Sequence, residues 1–401
     1  MNILKKIYCR IYQNIFKIAL PLMPYRKPKI LESTEDIINV LYQNNIDNVC
    51  IVTDQGIVKA GLIENLVNVL KDNNFKYVVY DKTVPNPTIS NVEEARELYL
   101  ESHCQGIIAL GGGSSLDLAK VLGARIVKPN KEISKMKGLL KIRKKLPLLI
   151  AIPTTSGTGS EVTVAAVITD DKTHHKYPIN DFCLIPHYAV LDYKYTLNLP
   201  KHITSTTGMD ALTHAVEAYI GKSRTKETKK MSLEATRLIV NNIKECYFNP
   251  LNEKARKNML YASHYAGISF TKAYVGYVHA IAHTLGGKYN IPHGLANAII
   301  LPIMLEKYGK SIHNKLKELA VYSGISNLND TPLEASKKFI DWIYEANKEM
   351  NIPLNIPNIQ EEDLDELIKY SLKEGNPLYP VPVLMGKEEF REIYLIIKNK
   401  N

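Results

Sequence analysis

Short apolar runs alternate with amphipathic stretches through the first half of the chain. VCIVTD (49–54), YVVYD (77–81), GIIALGG (106–112) and LPLLIAIPTT (146–155) are apolar, short and bounded by turn residues, which predicts buried strands. Residues 58–73, VEEARELYLESH (92–103) and SSLDLAKVLGARI (114–126) predict helices between them. Strands this apolar, alternating with helices, predict a parallel sheet covered on both faces. VTVAAVITDDKTHHKYPI (162–179) predicts a hairpin with Asp-Asp-Lys-Thr at its turn. From about Pro200 long helical segments follow without a strand signal. The expected organisation is an α/β domain over 29–197 and a helical domain over 198–401, preceded by an extension of residues 1–28.

That extension, MNILKKIYCRIYQNIFKIALPLMP, is itself patterned. Ile7, Ile11, Ile15 and Ile18 recur at helical spacing, Lys5, Lys6, Arg10 and Lys17 are interspersed, and Pro21 and Pro24 end the run. The charges interrupt the apolar run and no small-residue cleavage site follows, unlike a signal peptide. An amphipathic stripe usually faces protein, so the expectation is that it packs against the body or a partner subunit. Peripheral membrane contact through residues 1–24 is the alternative.

Composition narrows the classes. With 401 residues, 45% hydrophobic and 23% charged, the chain is an ordinary globular protein too long for one small core. No run of eighteen apolar residues predicts a transmembrane segment. Five scattered cysteines without a close CxxC pair argue for a reducing compartment, hence the cytoplasm, and against a thiolate zinc site. The net charge of +10 gathers partly in KMKGLLKIRKK (135–145) and at the chain ends; without a nucleic-acid-binding signature it reads as solvated surface, so no nucleic acid partner is expected.

Two glycine-rich loops follow apolar strands. GGGSSLD (111–117) opens a helix, the context in which backbone N–H groups approach a pyrophosphate, although it is not GxGxxG. PTTSGTGSE (153–161) adds hydroxyls and glycines after another strand. Both belong at the carboxyl ends of strands, where open α/β sheets bind ligands. Asp54 ends the first strand, where a carboxylate can accept a ribose hydroxyl and repel a 2′-phosphate, or simply cap a helix.

The second half carries a different chemistry. GMDALTHAVEAY (208–219) sets Asp210 and His214 at i,i+4; VHAIAHTLGGKYNIPHGLAN (278–297) sets His279 and His283 at i,i+4 and adds His293. Residues at that spacing share a helix face. One carboxylate and three imidazoles suit a divalent transition metal, which leaves one histidine over for proton chemistry. An isolated pair of this kind is common by chance; two pairs and a His-Gly within apolar helical sequence are much less so.

GGGSSLDLAK, PTTSGTGSEVT, GMDALTHAVEAY and VHAIAHTLGG with PHGLAN together resemble the iron-dependent (group III) alcohol dehydrogenase family, the lactaldehyde reductase and butanol dehydrogenase relatives. The likeness runs in order from about residue 30 to the C-terminus. It implies an α/β N-terminal domain with a parallel, Rossmann-like sheet plus an all-α C-terminal domain, the dehydroquinate synthase-like fold. It implies Fe2+, with Zn2+ as the substitute, on Asp210, His214, His279 and His293, and His283 facing substrate. It implies NAD rather than NADP through Asp54, with Gly112, Gly113 and Ser114 at the pyrophosphate and Asp117 near the nicotinamide end. Asn86, Thr154, Thr155, Thr158, Thr163 and Lys176 would line the cofactor. The implied activity is hydride transfer between nicotinamide and a primary alcohol or aldehyde, in a homodimer or larger homo-oligomer. Alternatives are a zinc polyol dehydrogenase of the glycerol type, a lyase of the dehydroquinate synthase type, and a membrane-associated scaffold. Thr284 stands where the family often has proline, and His174 and His175 read as exposed rather than as ligands.

Overall fold

Alternation along the strands shows why the first half folds as it does. Cys50, Val52, Ile107, Ala109, Leu149 and Ala151 enter one apolar cluster; Val49, Ile51, Ile108, Leu110, Ile150 and Ile152 enter another. Side chains two apart share a sheet face, so both faces are buried and the runs need no polar side.

The computed structural model describes residues 1–173 and 175–399 (Pro21 without its side chain); His174 lies outside them, while His175 is exposed. The chain opens with α1 (Ile3–Ala19). Pro24–Leu197 then form one unit, and Met1–Met23 join Asn198–Asn401 in a second.

In the α/β unit the strands are β1 (Lys29–Leu31), β2 (Asn48–Val52), β3 (Lys76–Tyr80), β4 (Gly106–Gly111), β5 (Gly138–Leu139), β6 (Leu148–Pro153), β7 (Ala165–Thr169), β8 (Lys176–Asn180) and β9 (Tyr188–Val190). Among the described residues, six form a parallel sheet in the order β1-β9-β6-β4-β2-β3. The predicted hairpin is present as antiparallel β7 and β8, joined by β5 into a second sheet. Helices α2 (Asp36–Gln43), α3 (Gln55–Lys59), α4 (Ile63–Asp72), α5 (Ile89–Glu101) and α6 (Gly113–Val127) accompany the strands. Ile37, Leu41, Leu66 and Leu70 of α2 and α4 cover one face, while Val92, Tyr99, Leu116 and Leu122 of α5 and α6 cover the other.

The helix expected over 58–73 is two helices. Gly61, at φ +70, breaks it in the left-handed region, and Asp54 caps the short first piece by accepting from Gly56 N and Ile57 N at 2.8 and 3.1 Å.

The helical unit holds α7 (Lys201–Ile220), α8 (Lys226–Phe248), α9 (Glu253–Ala273), α10 (Tyr277–Tyr289), α11 (His293–Tyr308), α12 (His313–Ser323), α13 (Pro332–Glu349), α14 (Leu364–Gly375) and α15 (Lys387–Asn399). Capping boxes at Thr225 and Thr331 fix the starts of α8 and α13. Gly208–Ile220 of α7 are buried throughout, enclosed by α8, α9 and α11. Such a helix is the core element around which the others pack.

The N-terminal helix departs from expectation. Its apolar stripe is not covered: Ile7, Ile11, Ile15 and Ile18 are exposed, while Cys9 and Gln13 are buried. The reason is polar. Gln13 Nε2 donates to the carbonyls of Pro377 and Tyr379, and Arg10 donates to those of Val381 and Pro382, at 2.7–3.1 Å.

Lys120 of α6 fastens the loops at the carboxyl ends of the strands. Fully buried, its Nζ donates to Ser160 Oγ, Thr163 Oγ1 and Ala165 O, each at 2.8 Å, and stands 3.9 Å from Asp117 Oδ1. Burial pushes its ammonium down to about 8, against the pull of Asp117 and Glu161. Removing one member of a buried, hydrogen-bonded charge pair typically costs about 3–5 kcal/mol. Lys120→Met should therefore lower the urea midpoint of the α/β unit markedly; an unchanged midpoint would show that the clamp contributes nothing to stability.

Candidate active site

Two groups of side chains are built separately, one in each unit.

In the α/β unit, the register aligns the ends of three strands. Val52 pairs with Ala109 and Gly111 pairs with Pro153, so Asp54, the Gly111–Gly113 turn and Thr154 stand level on one edge. Gly112 caps α6 without a side-chain hydrogen bond, and the helix begins at Gly113 and Ser114, leaving backbone donors and the positive end of the helix to meet an anion. Thr154 N donates to Gly111 O at 3.0 Å, tying the two loops together. Thr155 lies beside Gly112, and Thr158 beside Gly113. Asn86 and Lys176, 90 residues apart, meet through a hydrogen bond from Nζ to Oδ1. Asp54 Oδ2 accepts from Ser115 Oγ at 3.3 Å.

The side chains of Asp117 and Thr163 are engaged within the loop itself. Asp117 accepts from Ser160 Oγ at 2.6 Å and from Val167 N at 2.9 Å, and Thr163 Oγ1 accepts from Lys120. Burial raises the Asp117 carboxyl, against the pull of Lys120 and Ser160. These residues hold the loop from beneath.

In the helical unit, α7 supplies Asp210 and His214, α10 supplies His279, and α11 begins with His293. One ligand atom from each lies within 4.8 Å of the others. Asp210 Oδ1 is 3.5 Å from His293 Nε2 and 3.9 Å from His279 Nε2. Four ligands at 2.0–2.2 Å from one tetrahedral cation stand about 3.4 Å apart, so the set fits a single divalent ion after small adjustment. The Asn297 amide also reads this convergence: its Nδ2 donates to Asp210 Oδ1 at 2.6 Å and lies 3.3 and 3.0 Å from His279 Nε2 and His293 Nε2. His214 is held by stacking, 4.1 Å from the Phe270 ring and 4.5 Å from that of His279. Asp210 and His279 are 3% exposed and His293 38%, so the cluster opens on the His293 side.

The family models decide the identity. The iron-containing alcohol dehydrogenase model matches residues 30–193, and the model of the Fe-containing family's C-terminal region matches 204–397. A 1,3-propanediol dehydrogenase of Citrobacter freundii is 34% identical over 86% of this chain and 89% of its own. The chain belongs to the iron-containing alcohol dehydrogenase family. It is an oxidoreductase, as its motifs led one to expect, and the zinc polyol reading is not the one these matches favour. An alcohol dehydrogenase from Oenococcus oeni has the same fold, with a TM-score of 0.88 and 32% identity over 93% of this chain and all of its own. A sulfoacetaldehyde reductase from Bifidobacterium kashiwanohense, solved with NAD+, aligns with a TM-score of 0.84 and 26% identity over 94% of this chain and 99% of its own.

Two carboxylates of this family member are absent from the expectations above. Glu217 is buried on the same face of α7 as Asp210 and His214. It accepts from Gly276 N at 2.8 Å, Val278 N at 2.9 Å and His279 Nδ1 at 2.6 Å. Burial pushes its carboxyl up to about 7, against the backbone donors. Burial, then the neighbouring His214, His293 and His283, holds His279 well below its usual range, so its ring is neutral. With its Nδ1–H donated to Glu217, His279 presents Nε2 to the cluster. A Cβ on Gly276 would stand 2.6 Å from Glu217 Oε1, so glycine is needed there. The signal was legible: Glu217 follows Asp210 at i+7. Glu374 had no such signal. Its Oε1 takes a 2.6 Å bond with His283 Nδ1 and another from Tyr379. Burial raises the Glu374 carboxyl, yet His283 and Tyr379 outweigh it and hold it below the usual range.

A carboxylate behind a ligating imidazole typically contributes 10–100-fold to metal affinity. Glu217→Ala should weaken Fe2+ and Zn2+ binding by about that factor in competition with a chelator. Unchanged affinity would leave Glu217 as packing alone.

Proposed function

We propose that this family member is an NAD-linked, iron-dependent enzyme interconverting a small primary alcohol and its aldehyde. The observation that carries the reading is the convergence of Asp210, His214, His279 and His293 on one point, in a chain of this family. Held by these four residues, a divalent cation would supply Lewis acidity toward an alcohol or carbonyl oxygen, and a bound nicotinamide would supply the hydride chemistry.

The chain's own residues do the rest. Neutral His279, braced by Glu217, is ready to ligate without losing a proton first. His283 is 46% exposed, stacks 5.0 Å from the His293 ring, and engages Glu374 through Nδ1. Proton exchange with substrate and solvent is therefore assigned to His283 Nε2, with Glu374 and Tyr379 fixing the ring.

For the dinucleotide, Gly112, Gly113 and Ser114 are assigned to the pyrophosphate, and Asp54 to the ribose, which favours NAD over NADP. Thr154, Thr155, Thr158, Asn86 and Lys176 are assigned to its walls, and Asp117 and Thr163 to the support beneath. That the sulfoacetaldehyde reductase relative binds NAD+ supports the choice. The free cysteines support a cytoplasmic setting. The homodimer rests on the family likeness and is tested by light scattering.

Two measurements test the reading. Apo-protein reloaded anaerobically with Fe2+ or Zn2+ and offered short aldehydes should oxidise NADH in preference to NADPH, with Fe2+ restoring activity; no turnover with any metal or aldehyde would overturn it. His279→Ala should lose bound metal, while His283→Ala should keep it and lose turnover about 10²–10⁴-fold, the usual range for a positioned acid–base group. Full turnover of His283→Ala across the pH range would remove the proton role.

A further inference from the structure

The N-terminal helix is mounted with its sides reversed. Its inner side is narrow: Cys9 and Gln13 are buried, and the Phe16 ring meets Tyr274 edge-on at 4.9 Å. Five side-chain hydrogen bonds involving Arg10 and Gln13 hold that side, four of them to the carbonyls of 377–382. The outer side carries Leu4, Ile7, Ile11, Ile15 and Ile18 in one stripe, each 51–74% exposed. Tyr8 and Tyr12 flank it. Because the helix is fixed by polar bonds on its inner side, it cannot roll to bury the stripe without breaking them. The stripe is an addition to the family architecture, since the family match begins at residue 30.

Charge identifies what covers it. No Asp or Glu occurs before Glu32, whereas Lys5, Lys6, Arg10 and Lys17 line the helix. On a helical wheel Lys6, Arg10 and Lys17 fall together on one shoulder of the stripe and Lys5 on the other. The body adds Lys222 near Arg10 and Lys315, bound to the Ile220 carbonyl, near Lys17; one carboxylate, Glu389, faces Lys6, which leaves the shoulder basic on balance. An apolar stripe between basic shoulders, with aromatic rings at its edge, matches the boundary between acyl chains and anionic headgroups. A second copy fits poorly, because a two-fold pairing of this stripe would bring basic shoulders together. Among the described residues no helix is long and apolar enough to cross a membrane, so a bilayer contact of α1 is one along the surface rather than a span.

We propose that α1 docks the helical unit onto an anionic lipid bilayer, its stripe among the acyl chains and its lysines at the headgroups. The test is co-sedimentation of the full chain with phosphatidylcholine vesicles carrying 30% phosphatidylserine, against phosphatidylcholine alone, at low and high salt. Binding should be at least tenfold stronger to the anionic vesicles and weaken with salt. Ile11→Glu with Ile15→Glu should abolish it, and Lys5→Glu with Lys6→Glu and Lys17→Glu should remove the lipid preference. Arg10 and Gln13 stay intact, so the helix stays mounted, and circular dichroism checks the fold of each variant. No sedimentation of the parent chain with either vesicle would overturn the proposal. So would a parent oligomer, seen by light scattering, that the Ile11/Ile15 variant dissociates without any vesicle binding.

Discussion

A buried carboxylate that must satisfy three donors organises the helical unit. Glu217 takes the N–H groups of Gly276 and Val278 at the start of α10 and the Nδ1 proton of His279. Left unpaired, each of those buried groups would cost stability. One side chain therefore sets the height of α10 against α7 and the rotation of the His279 ring. Asp210 and His214 share α7 with Glu217, so the placing of His279 against them follows from a single helix-to-helix bond pattern. The apolar packing around Gly208–Ile220 keeps water from competing for it.

The α/β unit solves a related problem with the opposite charge. Lys120 stands under the loops and satisfies their hydroxyls and a carbonyl, so Ser160 and Thr163 face inward and the glycine turn keeps its backbone donors. In both units, a buried ion holds rigid the backbone that carries the chemistry.

Most of the architecture was legible because it depends on period. The short, turn-bounded apolar runs at 106–112 and 146–155 and the helical spacing of Asp210, His214, His279 and His283 are local signals that survive folding. Strands β1 and β9 escaped notice because three residues carry too little pattern, and their pairing is a long-range fact. Asn297 and Glu374 escaped because a polar residue on a helix reads as solvated until its neighbours are known. Asp117 was legible as part of a glycine-loop motif, but the direction of its side chain was not. The amphipathic period of α1 was plain; which side faces the protein depends on carbonyls more than 360 residues away.

The ligand atoms come from three helices that meet only in the folded unit. Once these atoms are taken as the ligand set, the ion binds the native chain and has little affinity for the unfolded one. Each tenfold rise of free ion above its dissociation constant then adds about 1.4 kcal/mol to the stability of the helical unit. Iron supply becomes a determinant of how long the chain survives proteolysis, and starvation would thin the enzyme population as well as idle it.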